Sequence, residues 1–214
     1  MQIEERIQMI MQKMKKLNEK QPQYDIGLFP PQWNPPVSEE MVANFEMQNG
    51  IQLPEDYKKF LITVADGGTQ PFYGLYALFG ENDIDAESKP VLQQKFPYTV
   101  KNPLYLMELS EEEYDEIYSS DTIFDEIDAG FLWLCHEGCA MYSILIVNTE
   151  DPETYGTVWF YDFANDVGTA PLMDPKTKKP MHFLDWLEYY VDTTLALEDD
   201  DYFSYIDLMG KVEG

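Results

Sequence analysis

The amino-acid sequence predicts an α+β fold in which an antiparallel sheet is flanked by helices. Two observations favour this fold. Three apolar runs follow one another with turn residues between them, and helical patterns precede and follow these runs. The chain has 214 residues, of which 44% are hydrophobic and 14% aromatic, which is enough for a sizeable buried core. The predicted strands are Phe131–Cys135, Cys139–Val147 and Thr157–Phe163, and antiparallel hairpins join them.

Residues 1–20 form a predicted amphipathic helix. Its apolar residues recur at steps of four and three, and lysines accumulate near its C-terminal end, where the helix dipole favours positive charge. Two heptads are too few to establish a coiled coil, so we expect this added helix to dock on its own domain. The chain is then a monomer or a weak dimer. Residues 21–36 are a proline-rich, extended connector. The apolar positions are Ile3, Ile7, Ile10, Met14 and Leu17.

The segment from Trp33 to Gly80 carries the densest local signals. Ser38 is a predicted N-cap, and Gly50 ends the helix that Ser38 begins. Pro54 opens a second helix, which Asp66-Gly67-Gly68 stops as a plain C-cap. An aromatic strand from Phe72 to Phe79 is expected to follow. The apolar face of the first helix contains Met41, Val42 and Phe45, and that of the second contains Tyr57, Phe60, Leu61 and Val64.

Further helices are predicted in the second half of the chain. Ser110 can cap a short acidic helix that begins at Glu111. Residues 164–180 form a predicted loop, because they are rich in turn residues. An amphipathic helix from Phe183 to Leu195 is expected to cover one face of the sheet, and a final apolar-faced helix runs from Tyr202 to Met209.

The order of these signals resembles the SUKH superfamily, which includes yeast Knr-type cell-wall regulators and many bacterial immunity proteins. The resemblance implies an α+β domain over residues 37–197, with an acidic helix or tail at 198–214 packed on it. It also implies a protein-binding role without catalysis. The matching pieces span about Trp33 to Val191: GIQLPEDYKKFL (50–61), DGG (66–68), YGL (73–75), EGC (137–139), ILIV (144–147), GTVW (156–159) and FLDWL (183–187).

The charge of the chain is strongly negative and unevenly distributed. Forty acidic and fourteen basic residues give a net charge of −26. Residues 1–101 contribute 14 acids and 10 bases, whereas residues 102–214 contribute 26 acids and 4 bases, so the second part carries −22. Such a field disfavours nucleic acids and anionic membranes and favours a partner with a basic surface. The alternative is that an acidic surface selects no partner at all.

Two acidic runs are the candidate partner-binding sites. Like charges within one or two turns destabilise a helix, which suggests a compensating use. The alternative is a solvated helix face and a frayed linker. The first run consists of Glu111, Glu112, Glu113, Asp115 and Glu116, and the second consists of Glu198, Asp199, Asp200 and Asp201.

Metal, cofactor and catalytic sites are not expected. Cys135 and Cys139 with His136 between them lack a second ligand pair for zinc, because His182 is the one other histidine, so we interpret the cysteines as structural. Residues 81–87 alternate carboxylates as calcium loops do, without the required glycine. The sequence has neither a nucleophile elbow nor a phosphate-binding loop, and it contains one arginine.

The tryptophans are expected to differ in burial. Trp133, Trp159 and Trp186 lie in predicted strands or on a core-facing helix, so we expect them in the core. Trp33 lies in the proline-rich connector and is expected to be partly exposed.

The combined hypothesis is a cytoplasmic, non-enzymatic immunity protein. It would occlude the basic active site of a cognate bacterial toxin, with a nuclease as one candidate. The expected location follows from an acidic N-terminus without a signal peptide and from apolar runs too short to cross a bilayer. The alternative is a regulatory scaffold of the Knr type.

Overall fold

A computed structural model of the chain describes residues 1–20, 32–80, 89–119, 127–198 and 203–212. The described helices are α1 (Ile3–Lys20), α2 (Glu39–Asn49), α3 (Glu55–Thr63), α4 (Glu111–Ser119) and α5 (Phe183–Ala196). The strands are β1 (Leu104–Tyr105), β2 (Phe131–Gly138), β3 (Met141–Ile146), β4 (Val158–Asp162) and β5 (Gly168–Pro171). Short 3-10 helices cover Leu106–Glu108 and Tyr205–Leu208. The α+β prediction is confirmed.

The five strands form one antiparallel sheet in the order β1-β5-β4-β3-β2. Leu145 pairs with Leu132 on one side and with Val158 on the other, so the predicted adjacent hairpins are present. No helix among the described residues is both long and apolar enough to span a membrane.

Helices cover one face of the sheet. Side chains from β2, β3 and β4 on this face pack with α1, α3 and α5 into the larger of two buried clusters. Trp186 of α5 is fully buried there, and its indole N–H donates to Ser143 of β3 over 3.1 Å. The prediction that the helix from Phe183 covers one face is therefore confirmed. The sheet contributes Leu132, Leu134, Leu145, Val158 and Phe160 to this cluster.

The opposite face of the sheet is covered by the segment that precedes β2. Ile117 of α4 and the stretch from Phe96 to Leu106 pack on this face, where the ring of Phe96 lies 4.9 Å from that of Trp159. Because both faces are buried, the central strands read as nearly continuous apolar runs. The sheet contributes Phe131, Ile144, Ile146, Trp159 and Tyr161 to this second cluster.

The N-terminal helix α1 is part of the main core. Arg6 forms ion pairs with Asp185 and Glu188 of α5 at 2.8 and 2.9 Å, and Lys13 also reaches Glu188 at 2.9 Å. The predicted apolar stripe faces α5 and α3, as expected for a helix docked on its own domain. Its buried members are Ile7, Ile10, Met14 and Leu17, with exposed fractions of 5% or less.

The predicted strand from Phe72 to Phe79 is wrong. This segment contains turns, and its β-pairing consists of isolated bridges from Leu75 to Gly68 and to Cys135. Phe72 has a left-handed φ of 48°, and the carboxylate of Asp66 accepts hydrogen bonds from the backbone N–H groups of residues 78–80. These contacts replace a continuous strand ladder. Asp66 therefore holds the loop at 78–80 in place through hydrogen bonds. The prediction of a plain C-cap at 66–68 does not include this role.

The predicted loop at 164–180 contains a strand, and the expectation of a loop over its whole length is wrong. β5 pairs with β4 and with the two-residue strand β1, which the sequence analysis did not foresee. Gly168 has a φ of 106°, and an added Cβ would lie 2.3 Å from the carbonyl oxygen of Leu104. The sequence pattern indicates only a turn at Gly168. In the structure this glycine allows the backbones of β5 and β1 to approach closely.

Several local predictions are confirmed or corrected at the helix ends. Ser38 accepts from the N–H of Met41 over 3.2 Å, and Gly50 ends α2 with a left-handed φ of 63°. Of the predicted apolar face, Val42 is buried whereas Met41 is 43% exposed. The last predicted helix is a single 3-10 turn at Tyr205–Leu208, and Tyr202 lies outside the described residues.

Candidate protein-binding site

The first acidic run lies on α4, with its carboxylates directed to solvent except for Glu113. The Glu113 carboxylate accepts from the hydroxyl of Ser110 at 2.6 Å and from its N–H at 2.9 Å, and the Ser110 hydroxyl accepts from the Glu113 N–H at 3.3 Å. This is a capping box, and it lowers the pKa of Glu113. The residues left for a partner are Glu111, Glu112, Asp115 and Glu116, all exposed.

Two tyrosines fix α4 on the sheet. The Tyr114 hydroxyl donates to Asp166 over 2.6 Å, and the Tyr118 hydroxyl bonds the Phe163 carbonyl at 2.8 Å and Asp166 at 3.2 Å. Asp166 lies in the β4–β5 turn with a φ of 60°. Ile117 inserts between these contacts into the core. A helix of nine residues is too short to be stable alone, so this attachment orients the acidic face.

We predict that Tyr118→Phe loosens α4 without displacing its aromatic ring. Loss of the hydroxyl removes two hydrogen bonds, so amide hydrogens of residues 111–119 should exchange on the order of five-fold faster. Hydrogen exchange followed by mass spectrometry measures this effect. Tyr155→Phe is the control, because it removes a hydroxyl bond to the Gln52 carbonyl elsewhere in the fold. Equal exchange of α4 in both variants contradicts the anchoring role.

The second acidic run is only partly described. Glu198 is exposed just beyond α5, whereas Asp199, Asp200 and Asp201 lie outside the described residues. α4 packs on the face of the sheet opposite to α5, because Ile117 belongs to one buried cluster and the α5 side chains belong to the other. The two runs therefore start from opposite layers of the molecule.

An aromatic band, which the sequence analysis did not predict, connects the edge strand β2 with α4. It consists of Tyr73, His136, Tyr142, Trp133 and Tyr161. Their ring centroids follow one another at 5.4, 5.1, 4.9 and 4.9 Å. Phe163 lies 4.7 Å from Tyr161, and the Tyr118 hydroxyl bonds the Phe163 carbonyl. The Tyr118 and Tyr114 rings, 4.8 Å apart, therefore lie beside this end of the band.

Most members of the band reach the surface. Tyr73 is 57% and Tyr118 is 43% exposed, and His136, Tyr142 and Trp133 are half-buried. Trp133 therefore departs from the core position expected for it, whereas Trp159 and Trp186 are fully buried and Trp33 is half-buried as predicted.

A register shift in β2 explains why the band escaped the sequence analysis. Side chains of a regular strand alternate between faces, so residues three apart point to opposite sides. The pairing of β2 with β3 shifts between Trp133 and Cys135 and again between His136 and Gly138. The first bulge returns His136 to the face of Trp133. Glycines near this turn were visible in the sequence, but the position of the bulge was not.

Glu137 is a buried carboxylate beneath the opposite face. It is 7% exposed and accepts a hydrogen bond from the hydroxyl of Ser143. Burial raises the pKa of Glu137 to about 8, although the bonds from Ser143 and from the backbone of Tyr205 act in the opposite direction. Trp186 of α5 donates to the same Ser143 hydroxyl over 3.1 Å, so Glu137 lies in the buried layer between the sheet and α5.

The two cysteines differ in burial and are not part of a metal-binding cluster among the described residues. Cys135 is buried in β2, and burial raises the pKa of its thiol well above the usual value. Cys139 is exposed in the β2–β3 turn. Within the described part of the chain, no group of three or more His, Cys, Asp or Glu side chains is arranged to hold a metal ion. The alternating carboxylates at 81–87 lie outside the described residues.

One known protein family matches most of this chain. The model of the SMI1 / KNR4 family (SUKH-1) matches residues 36–189. The chain belongs to this family. No match is found among curated proteins or among solved structures. The family match includes α4 and the whole aromatic band and starts after α1.

Two carboxylates in the SUKH-like sequence pattern hold the family domain together. The Asp56 carboxylate accepts from the N–H of Leu184 over 3.1 Å and so caps α5 from α3. Asp66 binds three successive N–H groups of the loop at 78–80. Gly67 lies where a Cβ would be 2.7 Å from the backbone of Ala77. The contacts of Asp56, Asp66 and Gly67 therefore stabilise the fold within the region that the family model matches.

Proposed function

We propose that this chain is a non-enzymatic binding protein that acts in the cytoplasm as an immunity protein against a bacterial toxin with a basic active site. Membership of the SMI1 / KNR4 family supports a protein-interacting role. The observation that carries the proposal is the exposed acidic face of α4, which two tyrosines and a capping box hold in one orientation. Within this proposal, residues 37–197 are the binding domain, and α1 and residues 198–214 are additions to it.

The negative charge of the α4 face is complementary to a basic surface on a partner. The basic groove of a nuclease is one target that four oriented carboxylates can occlude. Residues 102–214 carry a net charge of −22, so their field attracts a cationic surface before contact and raises the association rate. Occlusion needs no chemistry by the protein itself.

The experiment that tests immunity is co-expression with the product of the gene immediately upstream. We expect that product to arrest growth of a bacterial host and this chain to restore growth and co-purify with it. A neighbouring product that is harmless, or a toxic one that this chain neither binds nor neutralises, contradicts the proposal. The Knr-type scaffold would then be the remaining interpretation of the family match.

We predict that neutralising α4 slows association with the partner. The variant carries Glu111→Gln, Glu112→Gln, Asp115→Asn and Glu116→Gln. Removing four negative charges should reduce the association rate constant about ten-fold at low salt and flatten its salt dependence. The melting temperature should stay the same or rise, because like charges no longer repel along one helix.

Stopped-flow measurements at several salt concentrations provide the readout, with a charge-matched control. The control replaces four exposed glutamates outside α4 by Gln: Glu5, Glu19, Glu40 and Glu150. It changes the net charge equally, so it should retain most of the association rate. Identical rates for the two variants would mean that net charge, and not the α4 face, steers the partner.

A further inference from the structure

The aromatic band presents ring surface beside carboxylates. The Tyr161 hydroxyl donates to Asp128 over 2.6 Å, and the tyrosines at the α4 end of the band donate to Asp166. The sequence contains neither Lys nor Arg between Lys101 and Lys176, the stretch that supplies every member of the band except Tyr73. The band is thus partly exposed aromatic surface in a strongly negative field, without a cation from its own stretch of sequence.

We propose that this band is the contact surface for arginine side chains of a basic protein partner, an inference that rests on the proposed function and gives it a location. Cations are attracted to the faces of aromatic rings within about 6 Å of the centroid, and most strongly to tryptophan. A chain of rings with neighbouring centroids no more than 5.4 Å apart runs from Tyr73 at the β2 edge to Tyr161 of β4, and its partly exposed members offer such positions. The adjacent carboxylates match the charge of the same partner.

Arginine fits this surface better than lysine. The guanidinium group is planar and weakly hydrated, so it stacks on a ring while its in-plane N–H groups remain free to bond carboxylates. The ammonium group of lysine is a compact, strongly hydrated charge that loses more water on contact. A purely electrostatic surface does not distinguish the two side chains at equal charge. A preference for arginine is therefore the property that separates the band from a diffuse acidic patch.

The exposed end of the band has a defined position. The ring of Tyr73 lies on the backbone of Gly138, where an added Cβ would approach the ring to 2.6 Å. The N–H of Tyr73 also donates to the His136 carbonyl at 3.1 Å. The most exposed ring of the band is therefore held against the β2–β3 hairpin. Such preorganisation lowers the entropic cost of binding at this site.

Two peptides of ten residues, one with five arginines and one with five lysines alternating with glycine, test the proposal. Affinities of the full chain for each are measured by fluorescence anisotropy of labelled peptide in 0.15 M salt. We expect the arginine peptide to bind about five-fold more tightly than the lysine peptide. Tyr73→Leu combined with Tyr142→Leu keeps apolar side chains and removes two rings, and should bring this ratio close to one.

Three further variants give each outcome a single meaning. Tyr73→Leu alone changes a mostly exposed side chain, so it retains the fold and should lower the ratio about two-fold. Tyr155→Leu, outside the band, should leave the ratio unchanged. The α4-neutralised chain should bind both peptides more weakly by the same factor. Equal affinity of the wild-type chain for the two peptides, or a ratio that survives both ring replacements, overturns the proposal.

The experiments distinguish a failure of the band from a failure of the proposed function. A ratio of one combined with weaker binding by the α4-neutralised chain rejects the aromatic contact and leaves the charge-based function standing. A preserved arginine preference without toxin neutralisation in the co-expression experiment supports the surface and rejects the immunity role.

Discussion

Replacing Glu137 by Gln is expected to stabilise the protein progressively as the pH rises from 5.5 to 7.5. In the folded chain the pKa of Glu137 is about 8, against an ordinary value of 4.5. At intermediate pH the unfolded chain therefore releases a proton that the folded chain keeps. Glu137 therefore does not lower the unfolding free energy of the wild-type protein below pH 4.5. Above this pH the unfolding free energy falls until the pH approaches 8.

The size of this effect follows from the pKa difference. Each pH unit between the two pKa values costs about 1.4 kcal/mol, so the difference in unfolding free energy between variant and wild type should grow by about 3 kcal/mol from pH 5.5 to 7.5. Any constant effect of the amide on packing cancels in this comparison. Urea unfolding at four pH values provides the measurement.

A matched control separates Glu137 from the other carboxylates. Glu116→Gln removes an exposed carboxylate of α4, and its unfolding free energy should run parallel to that of the wild type over the same range. If Glu137→Gln also runs parallel to the wild type, Glu137 is ionised in the folded protein and its burial is less complete than the structure indicates.

Ile10→Ala is expected to reduce the unfolding free energy by about 2–5 kcal/mol, in the range for large apolar side chains truncated in a core. Ile10 is 1% exposed and belongs to the main cluster with α3 and α5. The loss should affect the whole domain in one cooperative transition, because α1 shares its core. Chemical denaturation followed by both tryptophan fluorescence and circular dichroism measures this.

The neighbouring position provides the control for Ile10. Met9 lies one residue earlier on α1 and is 42% exposed, so Met9→Ala should change stability by less than about 0.5 kcal/mol. An Ile10→Ala protein that loses only its α1 signal, with an unchanged transition for the remainder, would show that α1 is an independent appendage.

The predictable parts of the fold are those with strong local chemistry. The predictions for Ser38, Gly50 and three of the four stripe residues of α3 are confirmed, whereas Val64 lies just beyond the helix. Capping, left-handed backbone and helical periodicity are predictable because they act within a few residues. The segment at 72–79 was misassigned, because Asp66 captures its N–H groups from several residues away. β1 and β5 form by pairing with each other, so neither is specified by its own residues alone. A strand of two residues is also too short to show a periodic pattern.

The candidate site also contains residues that could be predicted from local sequence and residues that could not. The acidic residues of α4 were visible in the sequence, and the capping role of Glu113 follows a local spacing that was not used. The aromatic band depends on long-range pairing of β2 with β3 and on a bulge, so neither the neighbourhood of Trp133 and His136 nor its exposure could be derived from spacing. Its contribution to partner binding stays a proposal.

The docking of α1 on α5 has a consequence for synthesis on the ribosome. The two helices bury a common surface, yet more than 160 residues separate the end of α1 from the start of α5. At typical translation rates the apolar stripe of α1 waits roughly 8–30 s for its partner. During that time α5 does not cover the stripe. Any slow elongation step between the emergence of α1 and the emergence of α5 from the ribosome would lengthen this exposure.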